Sequence, residues 1–183
     1  VLNYSDMTDD DLYKIPSYVE SLSFYECYFI NDLSSLPDIC PNLKYLIISN
    51  CSSLTDLDFV YELPNLETFK IYGSAYVNED LVSYLDSNNI THNIGANELK
   101  LAHEVDSIVD SIITDDMSDL DKVKAITLYL IDNYEYDEAY TNESNFKPLE
   151  SMLDSKRGVC AGYAYLANVL LRKSNVNSYE VIN

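Results

Sequence analysis

Residues 156–171 read Lys156-Arg157-Gly158-Val159-Cys160-Ala161-Gly162-Tyr163-Ala164-Tyr165-Leu166-Ala167-Asn168-Val169-Leu170-Leu171. A glycine permits a sharp turn, one cysteine follows, and the run behind it is apolar almost all the way round. That pattern predicts a buried helix with Cys160 at its N-terminus. A thiol there faces unpaired N–H groups and the positive end of the helix dipole, and Lys156 and Arg157 add positive charge upstream. This is the setting of a nucleophilic cysteine. A thiol nucleophile also needs a base, and neither His nor Trp occurs among residues 161–183.

The whole chain has 183 residues, 47% of them hydrophobic, which is enough for a globular core in one domain or two small ones. Its net charge is −20. Residues 1–96 carry 15 acidic and 3 basic residues, and residues 97–183 carry 16 and 8. Nucleic acid is excluded as a partner by the sign of the charge, since phosphate binding wants the opposite one. Membrane insertion is not expected either, because no run reaches the roughly 18 apolar residues of a span.

Working back from Cys160, the N-terminal half repeats. Val19, Leu22, Phe24 and Cys27 are spaced as L-x-x-L-x-L-x-x-C. Leu43, Leu46, Ile48 and Cys51 restate the spacing, and Leu66, Phe69, Ile71 and Ser74 restate it again. Pro41-Asn42 and Pro64-Asn65 precede the second and third copies. The pattern resembles a leucine-rich repeat. It predicts a parallel-sheet solenoid over 1–96, with one short strand starting near each of Leu22, Leu46 and Phe69. Segments around Leu12–Ile15 and Leu81–Leu85 act as caps. Cys27 and Cys51 sit in the repeat's small-residue slot and read as packed core thiols, with a metal or a disulfide as the other readings. No metal site or cofactor is expected, and all four cysteines read as free thiols.

The turn-rich stretch from Ser87 to Gly95 ends the repeats, and the period then changes. Leu101, Val105, Ile108 and Ile112 predict a helix. Ser118 caps another, with Asp121 three residues on and an apolar stripe of Val123, Ile126, Leu130 and Ile131. A polar loop, Glu138 to Lys147, leads to a short helix around Leu149–Leu153 and then to the Cys160 helix. Tyr179-Glu180-Val181 alternates like the start of a strand.

Four pieces of this half resemble a transglutaminase-like (papain-like cysteine) domain. They are Ser118-Asp119-x-Asp121-Lys122-Val123-x-Ala125-Ile126, Asn133-Tyr134-x-Tyr136-Asp137, Gly158-Val159-Cys160-Ala161-Gly162-Tyr163-Ala164 and Leu170-Leu171-Arg172. The resemblance implies a mainly helical first half of such a domain over 97–183, so that the fold class is α/β for the repeats and α+β for the C-terminal half. It implies a Cys–His–Asp triad with Cys160 as nucleophile, acyl transfer or peptide hydrolysis as the chemistry, and an extracellular or cell-surface setting. His92 and His103 precede the cysteine, where the family pattern puts no base, and take no catalytic role.

A helix apolar on nearly every face must be covered, and the family covers it partly with a sheet of which this chain holds at most one strand. The expectation is therefore a truncated, catalytically incomplete domain whose uncovered helix face is open to self-association. Two functions are consistent with these features. One is a cysteine acyltransferase or peptidase with the repeats as a docking module for a protein or peptide substrate. The other is a non-catalytic binding or adhesion protein on the same scaffold.

Overall fold

The computed structural model describes residues 7–137 and 148–179. The first half is built on a parallel sheet. Strands β1 (Ser21–Tyr25), β2 (Tyr45–Ser49), β3 (Thr68–Tyr72) and the two-residue β4 (Thr91–His92) lie side by side in chain order. The first three begin one residue ahead of Leu22, Leu46 and Phe69. Their register stacks like on like: Leu22 against Leu46 against Phe69, and Phe24 against Ile48 against Ile71. All six side chains are buried. Alternate residues on a strand face opposite ways, so one face of every strand feeds a single apolar column.

The turns after the strands repeat at the level of the backbone. Glu26, Asn50 and Gly73 all adopt left-handed φ, at 52°, 53° and 68°. Glu26 and Asn50 hold this φ with side chains; at Gly73 a Cβ would in addition meet Asn50 Oδ1 at 2.5 Å, which favours glycine there. The Pro-Asn pairs bridge between rungs. Asn65 donates its side-chain amide to the Pro41 carbonyl at 2.9 Å, and Asn42 donates to Ser17 at 3.4 Å. β4 is not legible in the sequence, which reads as loop there. Asn93 completes the same sheet edge: its amide accepts from the Ile71 N–H and donates to the Ile71 carbonyl, both at 2.8 Å.

Short helices pack behind the strands. A 3-10 turn, Asp9–Lys14, buries Leu12 at one end, and α2 (Glu79–Ser87) buries Leu81 and Leu85 at the other. Between them lie α1 (Leu36–Ile39) and a 3-10 turn, Asp58–Glu62, neither of which the repeat pattern predicts.

The second half is helical. Helix α3 runs Ala96–Ile112 and α4 Asp119–Asn133, with Ser118 accepting from the Asp121 N–H as its cap. Helix α5 is Pro148–Ser155 and α6 is Cys160–Lys173. Two-residue strands β5 (Glu135–Tyr136) and β6 (Arg157–Gly158) pair in parallel between them. The polar loop expected at 138–147 and most of the strand expected at 179–181 lie outside the described residues.

Two expectations are corrected. The sequence puts Val123 and Ile131 on the buried stripe of α4; Ile126 and Leu130 are buried, whereas Ile131 is 66% exposed and Val123 lies at the solvent edge. Helix α4 packs on α3 and α6 from one side only, so its apolar band is narrower than its composition.

The second correction concerns α6, whose Leu166–Leu171 face the sequence leaves bare. Leu166, Val169 and Leu170 are instead buried. Helices α3, α4 and α5 pack on it. The strand-turn segments of the first half supply the remaining cover, where Ala75 joins the same core cluster and Tyr76 packs against it. Loops of the neighbouring sheet therefore contribute to the cover of α6. The bonds across this junction are specific. Tyr165 donates to the Gly73 carbonyl at 2.7 Å. Buried Asn168 donates to Ser52 and Ser53 at 3.1 and 3.3 Å, and accepts from Ser178 at 2.7 Å.

Candidate active site around Cys160

Cys160 is the first residue of α6 and its side chain is exposed, while the helix behind it is buried. Val159 precedes it in extended conformation, no side chain caps the helix, and no acidic residue stands in its first turn. The first hydrogen bond of the helix runs from the Tyr163 N–H to the Val159 carbonyl at 3.2 Å. The N–H groups ahead of it, from Cys160 to Gly162, have no acceptor within the helix. A thiol at this point is flanked by donors that would also stabilise an oxyanion formed beside it.

The position of Cys160 is fixed from below by Met152 on α5. Its sulfur lies where a Cβ on Gly158 would stand, and a Cβ on Gly162 would meet the same atom at 2.8 Å. Both glycines are buried. They are required by close approach, two residues either side of the cysteine, and Met152 wedges between them so that β6 can turn straight into α6. The β5–β6 pair braces the turn from the side: the Glu135 N–H donates to Lys156 at 2.8 Å, and the Asp137 N–H donates to Gly158 at 3.0 Å.

The two upstream cations do not act as the sequence suggests. Lys156 takes a left-handed φ of 55° and sends its ammonium to Glu104 at 2.9 Å and to the Tyr134 hydroxyl at 3.3 Å. Burial pulls its pKa down, but those two hydrogen bonds outweigh it and the net shift is upward. Burial pushes Tyr134 up to about 12, against the lowering effect of Lys156. Arg157 pairs with Glu135 at 3.3 Å and with Asp137 at 3.2 Å. Both charges are therefore neutralised by carboxylates.

One turn along α6 from Cys160, Tyr163 joins a row of rings. It lies 6.5 Å from Tyr134 and 5.9 Å from Tyr136, centroid to centroid, and Tyr134 continues to Tyr129 at 6.1 Å. The sequence marks Tyr134, Tyr136 and Tyr163 as motif residues without placing them together. The parallel β5–β6 pairing, which no local pattern signals, is what does so.

Neither histidine is bonded to Cys160 among the described residues. His92 bonds Asp86 at 3.1 Å through Nε2 and accepts from the Ile94 N–H at 3.2 Å through Nδ1. His103, exposed on α3, pairs with Glu79 at 3.1 Å. No group of three or more His, Cys, Asp and Glu side chains among the described residues is placed to hold a metal ion. No helix among them is long and apolar enough to cross a membrane.

Residues 106–181 match the transglutaminase-like superfamily. The match takes in α4, α5 and α6 with Cys160, and begins within α3. No curated protein matches the chain, and no solved structure does.

Proposed function

We propose that Cys160 is the nucleophile of a transglutaminase-like domain spanning residues 97–183, and that residues 1–96 are a leucine-rich-repeat module that docks a protein or peptide substrate against it. The observation that carries this reading is the placement of Cys160: a solvent-exposed thiol at the uncapped N-terminus of a buried helix, locked by Met152 under two flanking glycines, inside the segment that matches the superfamily. Structural cysteines in this chain look different, with Cys27 and Cys40 buried. The equivalent left-handed turns at Glu26, Asn50 and Gly73 and the asparagine bridges support the repeat reading.

In chemical terms the sulfur attacks the carbonyl carbon of an amide, the Cys160 N–H donates to the oxygen that gains charge, and the amine leaves on receiving a proton. The thioester is then resolved by water or by a second amine. Proton transfer requires a base, which the described residues do not bring to the sulfur.

The test is alkylation followed by turnover. Iodoacetamide should modify Cys160 ahead of Cys27, Cys40 and Cys51, read by peptide mass spectrometry. Release of ammonia or of a peptide fragment from polypeptide substrates should vanish in Cys160→Ala. The alternative is a binding protein on a silent scaffold. A partner bound equally by the parent and by Cys160→Ala, with no turnover in either, would establish that alternative.

A further inference from the structure

Cys27 and Cys51 occupy the same place in consecutive rungs. Strands β1 and β2 pair in register from Ser21 opposite Tyr45 to Tyr25 opposite Ser49, and the same offset carries Cys27 to Cys51. Each cysteine follows a left-handed residue, Glu26 or Asn50. Each thiol donates to the carbonyl two residues back, Tyr25 or Ser49, at 3.6 Å in both cases. The Glu26 N–H donates to the Ser49 carbonyl at 2.9 Å, which ties the two turns together at rung spacing. Neighbouring parallel strands lie ~4.8 Å apart. That spacing falls inside the ~4.4–6.8 Å between Cα atoms that a disulfide bridges. In the third rung the slot is Ser74, so the thiols form one pair and not a ladder.

We propose that Cys27 and Cys51 are an oxidation site, and that a disulfide between them staples the first two rungs of the sheet. The oxidant is a small-molecule disulfide. Cys51 is half-buried and Cys27 fully buried, so Cys51 meets the reagent first. It loses its proton, its sulfur attacks one sulfur of the reagent, and the first reagent thiol departs. Cys27 then loses its proton and attacks the Cys51 sulfur from inside, expelling the second reagent thiol. Two protein thiols become one disulfide and two hydrogens pass to the reagent.

A hydrogen bond to the Cys27 thiol and then burial push the Cys51 thiol well up, so the first step is slow at neutral pH and quickens as pH rises. The same feature protects the product, because a thiol of high pKa is a poor leaving group. The staple removes two weak S–H donors, and the Ser49 carbonyl keeps its bond from Glu26. Nothing in this proposal depends on the chemistry at Cys160.

The experiment treats the full chain with oxidised glutathione at mildly alkaline pH and maps the products by non-reducing digestion and mass spectrometry. The expected product joins the peptides of Cys27 and Cys51 with loss of two hydrogens. It unfolds several degrees higher than the reduced chain and reverts with dithiothreitol. Cys51→Ser should abolish it; serine is native to this slot in the third rung, so the variant keeps the fold. A glutathione adduct on Cys51 that never resolves would overturn the proposal. So would modification of Cys160 alone, or a linked product that melts below the reduced chain.

Discussion

The two halves of this protein bury their apolar cores, the first the larger, by opposite means. In the three strands between residues 21 and 72 each inward residue meets its counterpart one strand away, and these contacts repeat because the spacing repeats. Around Cys160 nothing repeats. Met152 packs against Gly158 and Gly162, Tyr165 bonds the Gly73 carbonyl, and Asn168 bonds Ser52, Ser53 and Ser178, none of which recurs elsewhere in the fold. The first arrangement tolerates drift in any single rung, because register is enforced by the neighbours on both sides. The second depends on particular atoms. A cysteine that must present its sulfur in one direction is better served by the second, which is where Cys160 lies.

The sharpest way to break the comparison is to remove a side chain from the middle of the ladder. Leu46 is fully buried between Leu22 and Phe69. Leu46→Ala should cost ~2–5 kcal/mol by urea denaturation. Because the sheet turns cover α6, the loss should be felt in both halves, with hydrogen exchange speeding in α6 as well as in β2. Exchange confined to β1–β3 would mean that the halves open independently.

Gly158→Ala probes the second kind of packing. Its new Cβ collides with the Met152 sulfur, and the cost should be ~1–3 kcal/mol. Adding Met152→Ala should recover part of it, and the double-mutant cycle measures how much of the wedge is one contact. A Gly158→Ala chain as stable as the parent would remove the account of how Cys160 is positioned.

Asn168→Ala attacks the joint between the halves. It leaves the hydroxyls of Ser52, Ser53 and Ser178 without this partner. The expected loss is ~1–3 kcal/mol, accompanied by separation of a single unfolding transition into two. Cys160→Ser should be nearly silent by the same measure, within ~0.5 kcal/mol, because the side chain is exposed. Stability near the parent's is also what allows its chemistry to be tested cleanly.

The smallest effect compares the two caps. Hydrogen bonds from Lys14, then from the Thr8 backbone and hydroxyl, hold the Asp11 carboxyl down at about 2. The Ser118 hydroxyl holds Asp121 below its ordinary value in the other half. A depressed carboxyl contributes its stability above the unfolded value, 3.8, and loses it as pH falls through the folded one. The Thr8 amide shift followed by NMR should therefore hold steady down to about pH 4 and move with its midpoint at about pH 2, and the Asp121 amide should move only below the ordinary carboxylate range. Movement of the Thr8 amide centred above pH 4 would contradict the capping geometry.

Legibility follows the same division. Leu22, Leu46, Phe69 and their partners two residues on announce strands by spacing alone, and the strands begin where that spacing puts them. The start of α6 at Cys160 and the Ser118 cap of α4 are equally readable, since turns and caps are written in adjacent residues. The bare face expected on α6 is a miscount of partners. Sequence periodicity shows that Leu166, Val169 and Leu170 need cover, but not that the turns around Ser52 and Gly73 provide it. The cations at 156 and 157 mislead for a similar reason: Glu104 and Glu135 are far off in the chain, and only folding brings them to those charges.

The sequence by itself determined the first three stacked strands, the succession of the C-terminal helices, and the place of Cys160 at the head of one of them, because each rests on interactions within a few residues or on a period. Only the tertiary structure decided that loops of a sheet pack on α6, that Met152 wedges beneath two glycines, and that Lys156 and Arg157 pair with Glu104 and Glu135. Those depend on where two distant segments meet, which close packing permits in one arrangement and no local pattern encodes.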